Sequence, residues 1–245
     1  LCQYHIGLDD LKSFRQLDSL TPGHPEYRHT EGVDATSGPL GQGIAQAVGM
    51  AMAEVSIAHN YKDGDSLMNH YTYVLCGDGC LQEGISQEAI SFAGHQKLNK
   101  LILLYDANKV TLDGALDLSF SESVKGRFLS SEWNVLEVED GNDVDAIDKV
   151  INKAKSSKDK PTMILIHTII GYGSAKQGTS KVHGSPLGEE DGKHAKVDVY
   201  GFDHEDFFVP EEVVNHFKET FVRRGVEAYE KYDKEFQKYS EKHAT

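Results

Sequence analysis

Apolar positions along this chain follow two alternating patterns. Four short runs are apolar almost throughout: "YTYVL" (71–75), "KLILLYD" (100–106), "NVLEVED" (134–140) and "PTMILIHTII" (161–170). That is the pattern of strands buried on both faces. Between and around them lie segments with helical character: "DDLKSFRQL" (9–17) with an aspartate cap, "GQGIAQAVGMAMAEVSIAHNY" (41–61), "ISQEAISFAGHQ" (85–96), "ESVKGRFLSSE" (122–132) and "DVDAIDKVINKAKSS" (143–157). The segment 41–61 is rich in small residues and apolar on most faces, as a buried helix is. Strands alternating with helices predict an α/β fold: a doubly wound parallel sheet with helices on both faces and right-handed crossovers. Residues 171–192, with six glycines, read as loop, and from Pro210 a charged, aromatic-dotted helical arm follows. The expected organisation is one domain core over 1–192, truncated at its start, with 193–245 as a C-terminal helical arm of the same domain.

Composition narrows the functions open to such a fold. The 245 residues are enough for one large domain. Thirty-nine acidic against 25 basic residues give a net charge of −14, which argues against nucleic acid as a partner. The same charge repels anions at long range, so any phosphate site must work through local donors or a metal. No apolar run approaches the roughly 18 to 20 residues that span a bilayer, so no membrane association is expected. Three cysteines, an odd number in a long chain, favour a reducing, cytoplasmic setting over a disulfide framework. The opening "LCQYHIGL" lacks Met and has the character of the middle of an ordered segment.

The chemistry concentrates where strands end. The first strand leads into "CGDGCLQEGISQEAI" (76–90), which places Asp78 between two glycines and then begins a helix. The next strand ends in "DAN" (106–108). In an open α/β sheet ligands settle beyond the carboxyl ends of the strands, so neighbouring strands would bring Asp78 and Asn108 to one crevice. Both offer hard oxygen atoms of the kind Mg²⁺ and Ca²⁺ prefer. Gly77 and Gly79 allow close backbone approach, and the helix beginning near Gly84 adds amide donors that favour a phosphate. Taken as "GDG" alone, the stretch reads more readily as an ordinary turn than as a site. The Asn after a second apolar strand weighs toward the site.

"GDG" followed, after 28 intervening residues, by Asn108 in "DANKV" resembles the thiamine diphosphate motif of the transketolase superfamily. "TPGHPEY", "TSGPLGQGIAQAVGMA", "GDGCLQEGISQEA", "TIIGYGS" and "VHGSPLG" resemble the transketolases in order and spacing, across essentially the whole chain. The resemblance implies the thiamine diphosphate-binding fold, and a cation held by Asp78, Asn108 and the main-chain carbonyl of Val110. It implies that Gly79 donates its amide to the diphosphate. Gly38 and Leu40 would contact the aminopyrimidine side, and Leu112 and Ile170 would pack on the thiazolium. His183 would neighbour the diphosphate and the reacting carbon, and His24 would hydrogen-bond a sugar's hydroxyl or carbonyl oxygen. Glu83 resembles the carboxylate that links two cofactor sites across the family's homodimer.

Histidines suit the chemistry on independent grounds, because moving protons on sugar hydroxyls near pH 7 needs a group that titrates close to that pH. His24 and His183 stand in turn-rich surroundings, whereas His95, His216 and His243 read as helix-surface residues. The resemblance also implies transfer of a two-carbon ketol unit between sugar phosphates. The glutamate that protonates the cofactor's pyrimidine ring would lie in a pyrimidine-binding domain, which this chain lacks, as it does the family's C-terminal domain. That domain would come from the partner subunit or a separate chain.

Other readings remain open. "GQGIAQ" (41–46) is close to a dinucleotide fingerprint, but Gln46 stands at the third glycine and no strand precedes it. Deoxyxylulose phosphate synthase, a 2-oxo acid dehydrogenase component and dihydroxyacetone synthase share the cofactor. A non-catalytic binding and dimerisation fragment is the third class. Cys76 and Cys80 lack a second Cys/His pair at zinc spacing and read as small buried residues.

Overall fold

A computed structural model of the chain describes residues 4–243. They divide into two compact units. One comprises 4–38, 54–69 and 204–243, and the other Pro39–Ala53 and His70–Asp203.

The second unit contains the sheet. Strands β1 (Thr72–Gly77), β2 (Leu101–Ala107), β3 (Asn134–Val138) and β4 (Thr162–His167) are all parallel, in the order β1-β2-β4-β3. In chain order with them come α1 (Leu8–Lys12), α2 (Gln42–Asn60), α3 (Gly84–His95), α4 (Val124–Ser130), α5 (Val144–Ala154), α6 (Glu189–His194), α7 (Glu211–Phe217) and α8 (Arg223–Lys242). The chain advances across the sheet from β1 through β2 to β3, then steps back to β4. With right-handed crossovers that reversal puts α5 on the face opposite α3 and α4.

Side-chain parity supports this placement. Ile102, Ile164 and Ile166 pack with Val138 and Ala154, together with Ile147, Val150 and Ile151 of α5. In α5 those apolar residues recur at helical spacing, and its first turn is capped by Asp143, whose carboxylate accepts the Ala146 amide at 2.9 Å. The alternate residues Leu101, Leu103 and Met163 are buried on the other face. There Trp133, just after α4, donates its indole N–H to the Ile90 carbonyl of α3 at 2.8 Å and meets Phe128 edge-to-face at 5.1 Å. Gly94 permits that packing, since a Cβ there would stand 1.8 Å from the Ser131 carbonyl oxygen.

In the first unit, α1 is shorter than the predicted helix over 9–17. Arg15 and Asp18 take left-handed backbone angles, and the Arg15 amide turns to the Thr21 carbonyl at 2.9 Å. The aspartate cap acts from within the first turn, where the Asp10 carboxylate accepts the Gly7 amide at 2.7 Å. The predicted arm is helical from Glu211 to Lys242, with a π-helical stretch at Lys218–Val222 joining α7 to α8. The stretch 171–192, predicted as loop, carries α6 near its end.

Gly94→Ala is expected to lower stability in urea unfolding by about 3 kcal/mol, because a backbone carbonyl rather than a movable side chain stands in the way. Unchanged stability would mean that α3 and the 131–133 turn do not meet as described.

Candidate functional site

Parallel pairing of β1 with β2 sets Gly77 opposite Asp106. One residue past β1 comes Asp78, and one past β2 comes Asn108, so the two side chains emerge from adjacent strand tips at the carboxyl end of the sheet. Asp78 is 3 % exposed. One carboxylate oxygen accepts the Lys109 amide at 3.0 Å, and the other accepts the Tyr105 hydroxyl. Burial pushes the Asp78 carboxyl above the usual range and the nearby Asp106 adds to this, against hydrogen bonds from Tyr105 and from the backbone at 108 and 109. Burial likewise pushes the Tyr105 phenol up.

Asn108 sits in the same network. Its Oδ1 accepts the Val110 amide at 3.0 Å, and its Nδ2 donates to Asp106 at 3.5 Å. Asp106 also accepts the Thr168 hydroxyl, which ties in the tip of β4. A buried carboxylate served only by neutral donors is the situation a cation relieves. The oxygens of Asp78 and Asn108 suit a hard divalent ion, since a carboxamide oxygen with one donor keeps a second lone pair. The residues present therefore fit Mg²⁺ or Ca²⁺.

The segment after Asp78 forms a tight helical turn, Gly79–Gln82. Two of its carbonyls are held by side chains of α3 and α4: Cys80 receives the Ser86 hydroxyl at 2.5 Å, and Leu81 receives Gln87 Nε2 at 2.5 Å and Arg127 Nη1 at 2.8 Å. Leu40 packs over Gly79, where a Cβ would lie 3.2 Å from its methyl group. Glu83 is exposed, with extended backbone angles, and stands at the N-terminal boundary of α3 without a side-chain capping bond. The Gly41 backbone packs against the side chains of Glu83 and Ser86. No strand precedes "GQGIAQ" among the described residues, which removes the support a dinucleotide fingerprint needs.

Leu112 is 67 % exposed, on the loop that follows Asn108 and Val110. Beyond β4, Ile170 is half-buried and its carbonyl accepts the Gly178 amide at 2.8 Å. Gly171 adopts φ +64°, and a Cβ there would be 2.8 Å from Val182. That close approach brings the Val182–His183 segment back beside the end of β4. His183 Nδ1 is buried and has no hydrogen-bond partner among the described residues. His24 and Gly38 belong to the other unit, where the exposed His24 ring lies 3.3 Å from the position of a Gly38 Cβ.

Three residues of this network were not singled out from sequence: Tyr105, Asp106 and Thr168. A tyrosine and an aspartate within a strand buried on both faces are the signal that could have found them, because their polar atoms need partners.

The sequence profile described as "Transketolase, thiamine diphosphate binding domain" matches residues 1–245. Transketolase of Geobacillus stearothermophilus is 51 % identical over 245 residues, covering 99 % of this chain and 37 % of that protein. Transketolase 1 of Saccharomyces cerevisiae is 52 % identical over 245 residues, covering 99 % and 36 %. Among solved structures, transketolase from Leishmania mexicana superposes with a TM-score of 0.92 at 44 % identity, covering 99 % of this chain and 36 % of that one. Transketolase from Pichia stipitis in complex with sedoheptulose-7-phosphate gives 0.92 at 43 %, covering 98 % and 36 %. The chain thus spans little more than a third of the length of these relatives.

Cys76 is buried beside the site and Cys80 is partly exposed, and both are free thiols. Burial pushes the Cys76 thiol up, and Cys80, Asp78 and Asp106 add to this. A raised thiol pKa leaves little thiolate, so at pH 8 Cys76 is expected to react with maleimide at least about ten-fold more slowly in the folded chain than in urea. Peptide mapping after timed labelling measures this, and equal rates would contradict the burial.

Proposed function

The chain belongs to the transketolase family, as its thiamine diphosphate-binding domain, and from that premise we propose that it holds the cofactor's diphosphate through a Mg²⁺ or Ca²⁺ ion. The observation that carries this reading is the buried Asp78 carboxylate at one strand tip beside Asn108 at the next. Asp78, Asn108 and the Val110 carbonyl hold the cation. Gly79 donates its amide to the diphosphate at the turn that its neighbours brace. Two charges of one sign, a carboxylate and a diphosphate, are thereby joined through a charge of the other, which is how a chain of net charge −14 can retain an anion.

The remaining roles follow the motifs. Leu40 and Gly38 contact the aminopyrimidine side, and the exposed Leu112 and half-buried Ile170 offer apolar surface to the thiazolium. The unsatisfied ring nitrogen of His183 is suited to take or give a proton near the diphosphate and the reacting carbon. His24 hydrogen-bonds a sugar's hydroxyl or carbonyl oxygen. Glu83, exposed at the start of α3, links two cofactor sites across a homodimer or a pairing with a separate pyrimidine-domain chain. When bound, the cofactor supplies the electron sink for breaking a carbon–carbon bond next to a carbonyl.

In a protein of its relatives' full length, the proposed reaction is transfer of a two-carbon ketol unit between sugar phosphates. The proposed compartment is the cytoplasm, which the free thiols of Cys76 and Cys80 fit. No helix among the described residues is long and apolar enough to cross a membrane.

Calorimetry with thiamine diphosphate and Mg²⁺ tests the site. Asp78→Ala is expected to weaken binding by more than about 100-fold, and an unchanged affinity would remove the assignment. The 245-residue chain alone is expected to show no measurable ketol transfer, because it spans little more than a third of the length of its transketolase relatives. Ordinary turnover by the purified chain would overturn that expectation.

A further inference from the structure

The turn Gly79–Gln82 and the segment running from Asn108 to Glu122 come from different crossovers, yet one side chain joins them from behind. Arg127, in the first turns of α4, is only 18 % exposed in its side chain. Its Nη1 donates to the Leu81 carbonyl at 2.8 Å. Its Nη2 pairs with Glu122, and its guanidinium lies 5.3 Å from the centre of the Phe120 ring. A second, weaker link runs parallel to it, from the Ser119 hydroxyl to Gln82 Oε1 at 3.4 Å.

The geometry of the guanidinium decides what this contact can do. Its planar fork presents several N–H groups in fixed directions, so it can serve a carbonyl and a carboxylate at once while lying on an aromatic face. A lysine would reach one of them. The Leu81 carbonyl also receives Gln87, so the rear of the turn is saturated with donors and its orientation is set from α3 and α4 together. The segment held on the other side of Arg127 is continuous with Asn108 and Val110 and contains Leu112. Within it the Val110–Ala115 bridge and the Thr111 amide to Gly114 carbonyl bond at 2.8 Å keep the intervening loop short and closed.

We propose that Arg127 is a positioning residue that couples the Gly79–Gln82 turn to the 108–122 segment, and so sets how tightly the cation and diphosphate are gripped between the two strand tips. It touches neither ion nor cofactor. This role rests on the reading of that end of the sheet as the cation and diphosphate site.

The test uses the 245-residue chain with Arg127→Met and Arg127→Lys, by amide hydrogen exchange and by calorimetry with thiamine diphosphate and Mg²⁺. Arg127→Met is expected to speed exchange in 79–82 and 116–122 by about ten-fold while strand amides 101–104 keep their protection. It should also weaken cofactor binding by about ten-fold, with Arg127→Lys falling between it and the wild type. Unchanged exchange in 79–82, or loosening of 101–104 to the same extent, would overturn the proposal. So would full recovery by lysine, which would reduce Arg127 to a point charge. A wild-type chain that binds no thiamine diphosphate would sink the functional reading and this role with it, whereas a binding wild type with an unaffected Arg127→Met variant would sink this role alone.

Discussion

A carboxylate that is 3 % exposed is a demanding thing to build at the end of a strand. Water is excluded, so every stabilising contact must come from fixed neighbours. For Asp78 these are a phenol from inside β2 and a backbone amide just past β2, and both exist only because β2 lies parallel and in register beside β1. The pairing that makes the sheet therefore makes the site. The donors are neutral, so burial leaves the charge poorly compensated and pushes the Asp78 carboxyl up, and Asp106 close by adds to the excess of negative charge. The proposed cation answers that excess.

The helical layers serve the same end by fixing the segments just past the strand tips. α3 is pinned by Trp133, just after α4, whose ring also packs on Phe128 of α4, and the absence of a Cβ at Gly94 lets α3 meet the 131 turn within backbone contact. With α3 fixed, Ser86 and Gln87 in its first turns hold the carbonyls of Cys80 and Leu81 from behind. On the opposite face α5 completes the core, so the strand tips have little freedom to separate. Beyond β4 the same logic recurs in a loop, where Asp191 of α6 accepts the Ser174 hydroxyl at 2.7 Å and the Ala175 amide at 2.8 Å. Those bonds also hold the Asp191 carboxyl below its usual range.

Much of this was legible in the residues. Strongly apolar runs at 71–75, 100–106 and 161–170 and the more mixed 134–140, separated by helical segments, left few alternatives to a parallel sheet with helices on both faces, and each predicted strand is present within a few residues. Asp78 and Asn108 were legible because each directly follows such a run. α6 was not, since "GEEDGK" has the composition of a loop and its helix is steadied by contacts with Ser174 and Ala175, well upstream in the chain. The pattern over 9–17 overstates α1 because left-handed conformations at Arg15 and Asp18 leave no mark in an otherwise helical stretch.

The sequence by itself determined the fold class, the order of strands and helices along the chain, and the two oxygen-bearing side chains at strand ends, because these come from hydrophobic periodicity and from what each residue type can do locally. Only the tertiary structure decided the lateral order β1-β2-β4-β3 and the partners of Asp78. It also decided the tie from Asp106 to Thr168 and the bracing by Arg127. Those contacts join residues tens of positions apart, and their geometry is set by packing, which no local pattern encodes.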